Sequence, residues 1–489
     1  MAAAPGGEPV VHDDAGSRDS PGLAALGDIL ACPSCRSTDI GYAERRGALT
    51  CGRCNLGFPV VQSGEAQMPW MFDEPTTTRL EWKARYHGFL HQNSLQLERL
   101  RKARSEPNDS ELRRDRVARL LQATEQYRRQ VSNILAPLEL DGIDWPADAA
   151  GLLHGKLPKS QGLSSYVDNV FRDWAWDNGE NESLLAAVES VLGASAGTKI
   201  GSVLTLGAGA CRLPYDLHRR YAPTRSVVVD LNPLLLLIGS EVIRGGTVSL
   251  CEFPIAPLNA NSFAVLQELS APIPLDCENF DFVLADATRP PFAARSFDTV
   301  ITPWLIDIIP QDLRTFIPQV NHCLKDGGTW VNTGSLAFFH NDENWRYSEE
   351  ELVELLEQNG FLVVATERKS VPYLQSPHSA HGRCENIFSF AARKLEDTVA
   401  PSPREYLPDW LLDTSLAVPA STETAISSSH YLLKAQVLAT IDGKSTIRQI
   451  SRRLARQYGL GRRETENAVQ RILLEAWEQS TSGNSSSEL

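Results

Sequence analysis

The chain has 489 residues, 42% of them hydrophobic, enough for more than one core. Its net charge of −14 and pI of about 5.3 disfavour general nucleic-acid binding, because phosphate contacts need clustered Lys and Arg. No apolar run approaches the roughly 18 residues of a membrane-spanning helix, so no membrane partner is expected.

Residues 1–25 read as a disordered tail: Met1–Pro21 is rich in Ala, Gly, Asp and Ser and lacks the apolar stretch of a signal peptide. Residues 26–63 hold Cys32-Pro-Ser-Cys35 and Cys51-Gly-Arg-Cys54. Each CxxC turn directs two thiolates at one centre, and two such turns about fifteen residues apart complete a tetrahedral S4 site, as for zinc. Four thiolates fill the coordination sphere, so the metal is expected to be structural and not catalytic. Nine cysteines, four of them in this paired spacing, suit a reducing compartment, and the cytoplasm is the expected location. Residues 64–160 read as helical. Leu112, Val117, Leu120, Leu121, Tyr127, Val131, Ile134 and Leu135 recur at intervals of three and four, and the interleaved arginines from Arg113 to Arg129 read as a solvated face.

Residues 161–395 alternate strands and helices, an α/β pattern. Ile200–Leu206 is an apolar strand that runs into Gly207-Ala-Gly209-Ala-Cys-Arg212 and a helix, and Ser226-Val-Val-Val-Asp230 is a second strand ending on a carboxylate. The glycines let backbone approach a ligand, and Asp230 suits a ribose diol. The third fingerprint position is Arg212 instead of glycine, which favours a smaller adenosyl ligand such as S-adenosylmethionine over a dinucleotide. A third strand ends in Asp286-Ala287, where a carboxylate can accept from an adenine amino group. A fourth, Ser296–Trp304, should present its end to the transferred methyl group. The glycine turn and strand at Leu324–Asn332 complete the order. Residues 396–425, rich in Pro, Ser and Thr, form a linker, 426–480 a helical module and 481–489 a Ser-rich tail. In the module, a helix from Leu432, an Asp442-Gly443 turn, a second helix capped by Ser445 and a third carrying Val469, Ile472 and Leu473 are expected.

Three resemblances add to this reading. Cys32–Cys35, Cys51–Cys54, Gly57-Phe-Pro-Val-Val and Met68-Pro resemble the Trm112-like zinc ribbon, a partner or appended module of methyltransferases. The segments Arg172-Asp173-Trp174 with Gly179-Glu-Asn-Glu182, Leu206–Leu213, Trp304-Leu-Ile-Asp307, Gly328–His340 and Glu385–Lys394 resemble the carnosine N-methyltransferase family. That resemblance implies a class I methyltransferase fold, Rossmann-like with a mostly parallel seven-stranded sheet. It places Gly207, Gly209, Arg212, Asp230, Asp286 and Ala287 on the cofactor side, with Arg172 toward the methionine carboxylate. Asp307, His340 and Tyr373 fall on the acceptor side. Two stretches depart from the family pattern: Asp230-Leu-Asn-Pro, and His378-Ser-Ala-His381-Gly-Arg-Cys384 where the family is tyrosine-rich. The C-terminal module resembles the winged-helix PqqD-like domain, which implies docking of a peptide or protein. A purely structural role, or DNA binding through Arg448, Arg452, Arg453 and Arg456, stands beside that reading.

The chemistry favours a histidine imidazole, in a small peptide or peptide-like metabolite, as methyl acceptor. A carboxylate such as Asp307 that accepts the imidazole N–H fixes the tautomer and makes the other nitrogen more basic. The competing role for Asp307 is to cap a helix beginning near Pro310, and for His340 a polar surface loop. Two alternatives to the small acceptor are a peptide-modifying enzyme guided by the C-terminal module and a non-catalytic scaffold binding a partner through the zinc ribbon. The intact glycine loop, Asp230 and Asp286 argue against the scaffold.

Overall fold

The computed structural model describes residues 26–43, 47–105, 110–142, 162–195, 199–338, 343–399, 434–459 and 461–481, together with residues 23, 409, 413 and 415–417. The N-terminal tail, most of the linker and the C-terminal tail therefore lie outside the described residues.

The cysteine segment forms four antiparallel strands in sequential order, β1 (Ile40–Ala43), β2 (Ala48–Cys51), β3 (Gly57–Ser63) and β4 (Ala66–Pro69). β4 falls in the stretch read as helical. The two CxxC turns repeat one geometry. Arg36 and Asn55, each just past the second cysteine, adopt left-handed φ of 60° and 59°. Their N–H groups donate to the carbonyls of Cys32 and Cys51 at 2.8 and 2.9 Å. Two helices follow, α1 (Pro75–Arg104), opened by proline, and α2 (Glu111–Leu135), whose cap Ser110 accepts from the Arg113 N–H. α2 buries Val117, Thr124, Tyr127, Val131 and Leu135, as its spacing predicts, while Leu112 on its first turn is 74% exposed. Of the arginine face, Arg116 stacks on Phe263 and Arg128 donates to Ser94, so that face is partly used for packing.

The remaining elements are α3 (Val167–Trp174), α4 (Glu180–Ser195), β5 (Ser202–Leu206), α5 (Arg212–Tyr221), β6 (Arg225–Asp230), α6 (Pro233–Ile243), β7 (Val248–Glu252), β8 (Val265–Leu269), β9 (Phe280–Leu284), β10 (Phe297–Pro303), α7 (Leu313–Cys323), β11 (Leu324–Thr333), α8 (Glu349–Gln358), β12 (Phe361–Tyr373) and β13 (Arg383–Lys394). Seven strands form one sheet in the order β12-β13-β11-β10-β5-β6-β9, parallel except for β13. The central strands are apolar on both faces because helices cover both. The chain leaves β5 in one direction for β6 and β9 and in the other for β10 and β11. The crevice at the carboxyl ends of β5 and β10 is therefore the topological switch point, where ligands of such sheets bind.

The ribbon is built into this domain. Trp70 bridges Leu284, and the Met71 N–H donates to the Leu284 carbonyl at 2.7 Å. Leu30 bridges Phe292, and Arg36 donates to the Pro290 carbonyl and to Gln319. Leu30, Leu49 and Phe58 share one core with Val283, Phe292 and Phe297. The ribbon therefore packs on the α/β domain of its own chain.

In the C-terminal module, residues 434–439 are helical, followed by α9 (Ile447–Tyr458) and α10 (Arg462–Thr481). Val437, Ile450, Leu454 and Val469 form its core. The cap of α9 is Thr446 and not Ser445. Thr446 and Gln449 form a reciprocal capping box, while Ser445 donates to Asp442 in the preceding turn. Among the described residues of this module there is no strand. No helix among the described residues is long and apolar enough to cross a membrane.

Candidate active site

The glycine loop forms because the chain must reverse within five residues between β5 and α5. Gly207 and Gly209 have φ of 72° and 57°, and Cys211 also adopts a left-handed φ, of 70°. The N–H groups of Gly207 and Ala208 donate to the Val229 carbonyl. Asp230 at the end of β6 braces the loop. Its carboxylate accepts from the Gly209 N–H and the Asn232 N–H, both at 2.8 Å. Burial raises its pKa to about 6, against the lowering effect of those N–H groups. A Cβ on Gly209 would meet no atom within 4 Å, so the loop is open above this residue. An open glycine backbone beside a buried carboxylate fits an adenosyl ligand with a ribose diol. At the neighbouring strand end, Asp286 accepts from the N–H and hydroxyl of Thr288, and Ala287 is 7% exposed beside it.

The helix α3 lies against the glycine loop: the Trp174 indole N–H donates to the Ala210 carbonyl at 2.8 Å. Trp174 and Trp176 are 5% and 4% exposed and pack into the core of this domain. Two guanidiniums converge on Asp173. Arg172 donates through Nε and Nη2 to its carboxylate, and Arg212 donates through Nη1 to its carbonyl. Arg212 also pairs with Asp216 and lies over the Trp174 ring. Arg212 therefore ties α5 to α3 and is engaged within the chain, a role the sequence did not reveal.

On the acceptor side, Asp307 is 7% exposed and accepts from the Ser335 hydroxyl at 2.5 Å. Burial raises its pKa to about 6, opposed by the Ser335 bond. It does not cap the following helix. α7 begins at Leu313, and its cap is Asp312, which accepts from the Arg314 N–H. Tyr373 ends β12 with its ring 4.7 Å from that of Trp304, and the Arg383 guanidinium lies over the Tyr373 ring, 4.7 Å from its centroid. Burial raises the Tyr373 pKa; Arg172 and Arg383 oppose this, while Asp307 and Glu385 add to it. That electrostatic coupling joins Arg172, Asp307 and Tyr373 in one locality. His340 lies outside the described residues.

Three residues of this site went unassigned in the sequence. Ser335 holds Asp307. Glu180 holds the turn after Tyr373. Gly239 lets α6 pack on the glycine loop, where a Cβ would fall 2.6 Å from the Ala210 carbonyl oxygen. An isolated glycine inside the leucine-rich run of α6 was the one available signal.

Away from this crevice, Cys32, Cys35, Cys51 and Cys54 bring four sulfurs within 4.8 Å of one another, with no disulfide. The Cys32–Cys54 and Cys35–Cys51 separations are 3.7 and 3.6 Å. A tetrahedral S4 site with bonds of about 2.3 Å needs sulfurs about 3.8 Å apart, so the cluster is compatible with zinc.

Comparison with known proteins bears on the same span. No curated protein matches the chain significantly. Among solved structures, it is similar to N-methyltransferase NodS from Bradyrhizobium japonicum, with 15% identity, 45% of this chain and 99% of that chain covered, and a TM-score of 0.30. Phosphoethanolamine N-methyltransferase 2 from Haemonchus contortus, in complex with S-adenosyl-L-methionine, gives 14% identity, coverage of 49% and 62%, and a TM-score of 0.30. A complex of the Haloferax volcanii Trm112 methyltransferase activator with a methyltransferase gives 14%, 48% and 98%, and 0.32. At such TM-scores these likenesses carry no argument. The family model described as carnosine N-methyltransferase matches residues 153–395, the span that holds the whole crevice. Over that span the chain belongs to the carnosine N-methyltransferase family, and it is an S-adenosylmethionine-dependent N-methyltransferase.

Proposed function

We propose that the enzyme methylates an imidazole nitrogen of histidine in a small peptide or peptide-like metabolite. The observation that carries this reading is Asp307, a buried carboxylate held by Ser335 and released from helix capping by Asp312. When bound, S-adenosylmethionine supplies a methyl group on a sulfonium. Gly207, Gly209, Asp230, Asp286 and Ala287 would hold its adenosyl part, and Arg172 would face its carboxylate. Asp307, ionised at neutral pH, would accept the imidazole N–H, which leaves the other ring nitrogen bare and more nucleophilic. Ser335 fixes the carboxylate, so little reorganisation is needed at the moment of attack. Tyr373, whose hydroxyl has no hydrogen-bond partner among the described residues, would bound the acceptor from the β12 side.

The test is incubation of the full chain with methyl-labelled cofactor, carnosine and a panel of amines, thiols and histidine peptides, with mass spectrometry of the products. Label on an imidazole nitrogen is expected. Label only on an amine or sulfur would overturn the reading. We further propose that the four cysteines hold one zinc as a structural staple. Metal analysis should give about one zinc per chain, and its removal should lower thermal stability. A fully stable metal-free protein would exclude this role.

A further inference from the structure

The turn that follows Tyr373 is held by a buried carboxylate that methyl transfer itself does not use. Glu180 opens α4 and is 3% exposed. Its carboxylate accepts from the Leu374 N–H at 2.9 Å and from the Gln375 N–H at 2.7 Å. Asn178 donates to the same carboxylate and to the Gln375 carbonyl, both at 2.9 Å. Leu374 has φ of +48°, a left-handed conformation that a branched side chain rarely adopts without support from its surroundings. Successive N–H groups around a left-handed residue form a concavity that suits an anion, and Glu180 fills it.

The rest of the turn is clamped as well. Ser376 donates to Glu252, a 1%-exposed carboxylate that also accepts from Trp176 and Gln267. The Leu258 N–H donates to the His378 carbonyl, and the Ala380 N–H to the Ala256 carbonyl. What distinguishes Glu180 is its place. It sits six residues after Trp174, whose indole reaches the glycine loop, and it grips the residue next to Tyr373. Arg172 interacts electrostatically with both Glu180 and Tyr373.

We propose that Glu180 is a positioning residue for methyl transfer: its carboxylate holds the strained Leu374–Gln375 turn, and through it the Tyr373 ring, in register with the cofactor-side helix α3. This rests on the reading that the Asp307–Tyr373 side receives the acceptor.

The test uses the full chain with S-adenosylmethionine and carnosine. Glu180→Gln keeps the size but sets an amide donor against two backbone donors. Expected are hydrogen exchange at Leu374 and Gln375 at least tenfold faster, kcat about 10²-fold lower, and a cofactor Kd within threefold of wild type, since a misplacement of about 1 Å costs a factor of that order. Leu374→Gly in the Glu180→Gln background removes the strain and should restore kcat at least tenfold. A residue that merely supported the fold would lower stability and cofactor affinity together and would not respond to Leu374→Gly. Unchanged exchange at residues 374–375, unchanged kcat, or absent rescue overturns the proposal. If wild-type protein leaves carnosine unmethylated, it is the acceptor reading that fails, and the exchange measurement alone then decides whether Glu180 holds the turn.

Discussion

The cofactor half and the acceptor half of the crevice are built on different length scales. On the cofactor side, Asp230 braces Gly209 from 21 residues away, across adjacent parallel strands. On the acceptor side, Ser335 holds Asp307 from 28 residues away, and Glu180 holds Leu374 from 194 residues away. The Asp230–Gly209 and Ser335–Asp307 bonds each need one βαβ unit to be correct, whereas the Glu180–Leu374 bond needs two segments 194 residues apart to meet. The two halves also differ in who satisfies their carboxylates. Asp230 is met by backbone N–H groups that follow from the turn geometry, whereas Asp307 is met first by the Ser335 side chain, with the backbone N–H groups of Asp307 and Ala337 adding to it. The cofactor half should accordingly tolerate changes elsewhere in the domain, and the acceptor half should not.

The sharpest way to break this comparison is Asp307→Asn. It keeps the shape and should lower turnover on the acceptor by about 10²–10⁴, the range for lost acid–base and tautomer control, with cofactor affinity unchanged. Steady-state kinetics with calorimetry checks it; equal losses in both would mean that the halves are not separable. Asp230→Ala should do the converse. It removes a charge-assisted acceptor worth about 1.5–3 kcal/mol per bond, so cofactor affinity should fall roughly 10- to 100-fold. Calorimetry showing intact affinity would displace the ribose from this strand end. The smallest effect expected is pH-dependent. With Asp230 titrating at about 6, its carboxylate is ionised above that pH and protonated below it. Cofactor affinity should be flat above pH 7 and decline about tenfold per unit below 6. The sign for folding is opposite: a folded value above the usual 3.8 means that burying the charge costs stability as pH rises through this window. Titration of affinity in Asp230→Asn should abolish the decline.

The resemblance to a methyltransferase family was visible because its motifs sit in short contiguous stretches, and the family match over residues 153–395 agrees with it. The strands around Gly207, Asp230, Asp286 and Trp304 were legible for a local reason. Apolar runs of five to seven residues buried on both faces read as parallel strands, and the first three end on turns of small or acidic residues. The paired cysteines were legible in the same way, because CxxC turns are local.

The tertiary structure decided what depends on contacts between distant segments. It gave the helix cap to Asp312 and thereby freed Asp307, a choice made by where α7 starts and not by residue type. It engaged Arg212 with Asp173 and Asp216, since a guanidinium takes whichever acceptors packing brings to it. It seated the ribbon on β9 and the loop after it through backbone bonds from Met71 to Leu284 and from Ala31 to Pro291, and backbone hydrogen bonds leave no mark in side-chain identity. It also set Glu180 against Leu374. A sequence specifies turns and strands through neighbours a few residues apart, but the partner of a buried charge is chosen by the fold, because only burial makes an unpaired charge costly enough to demand one.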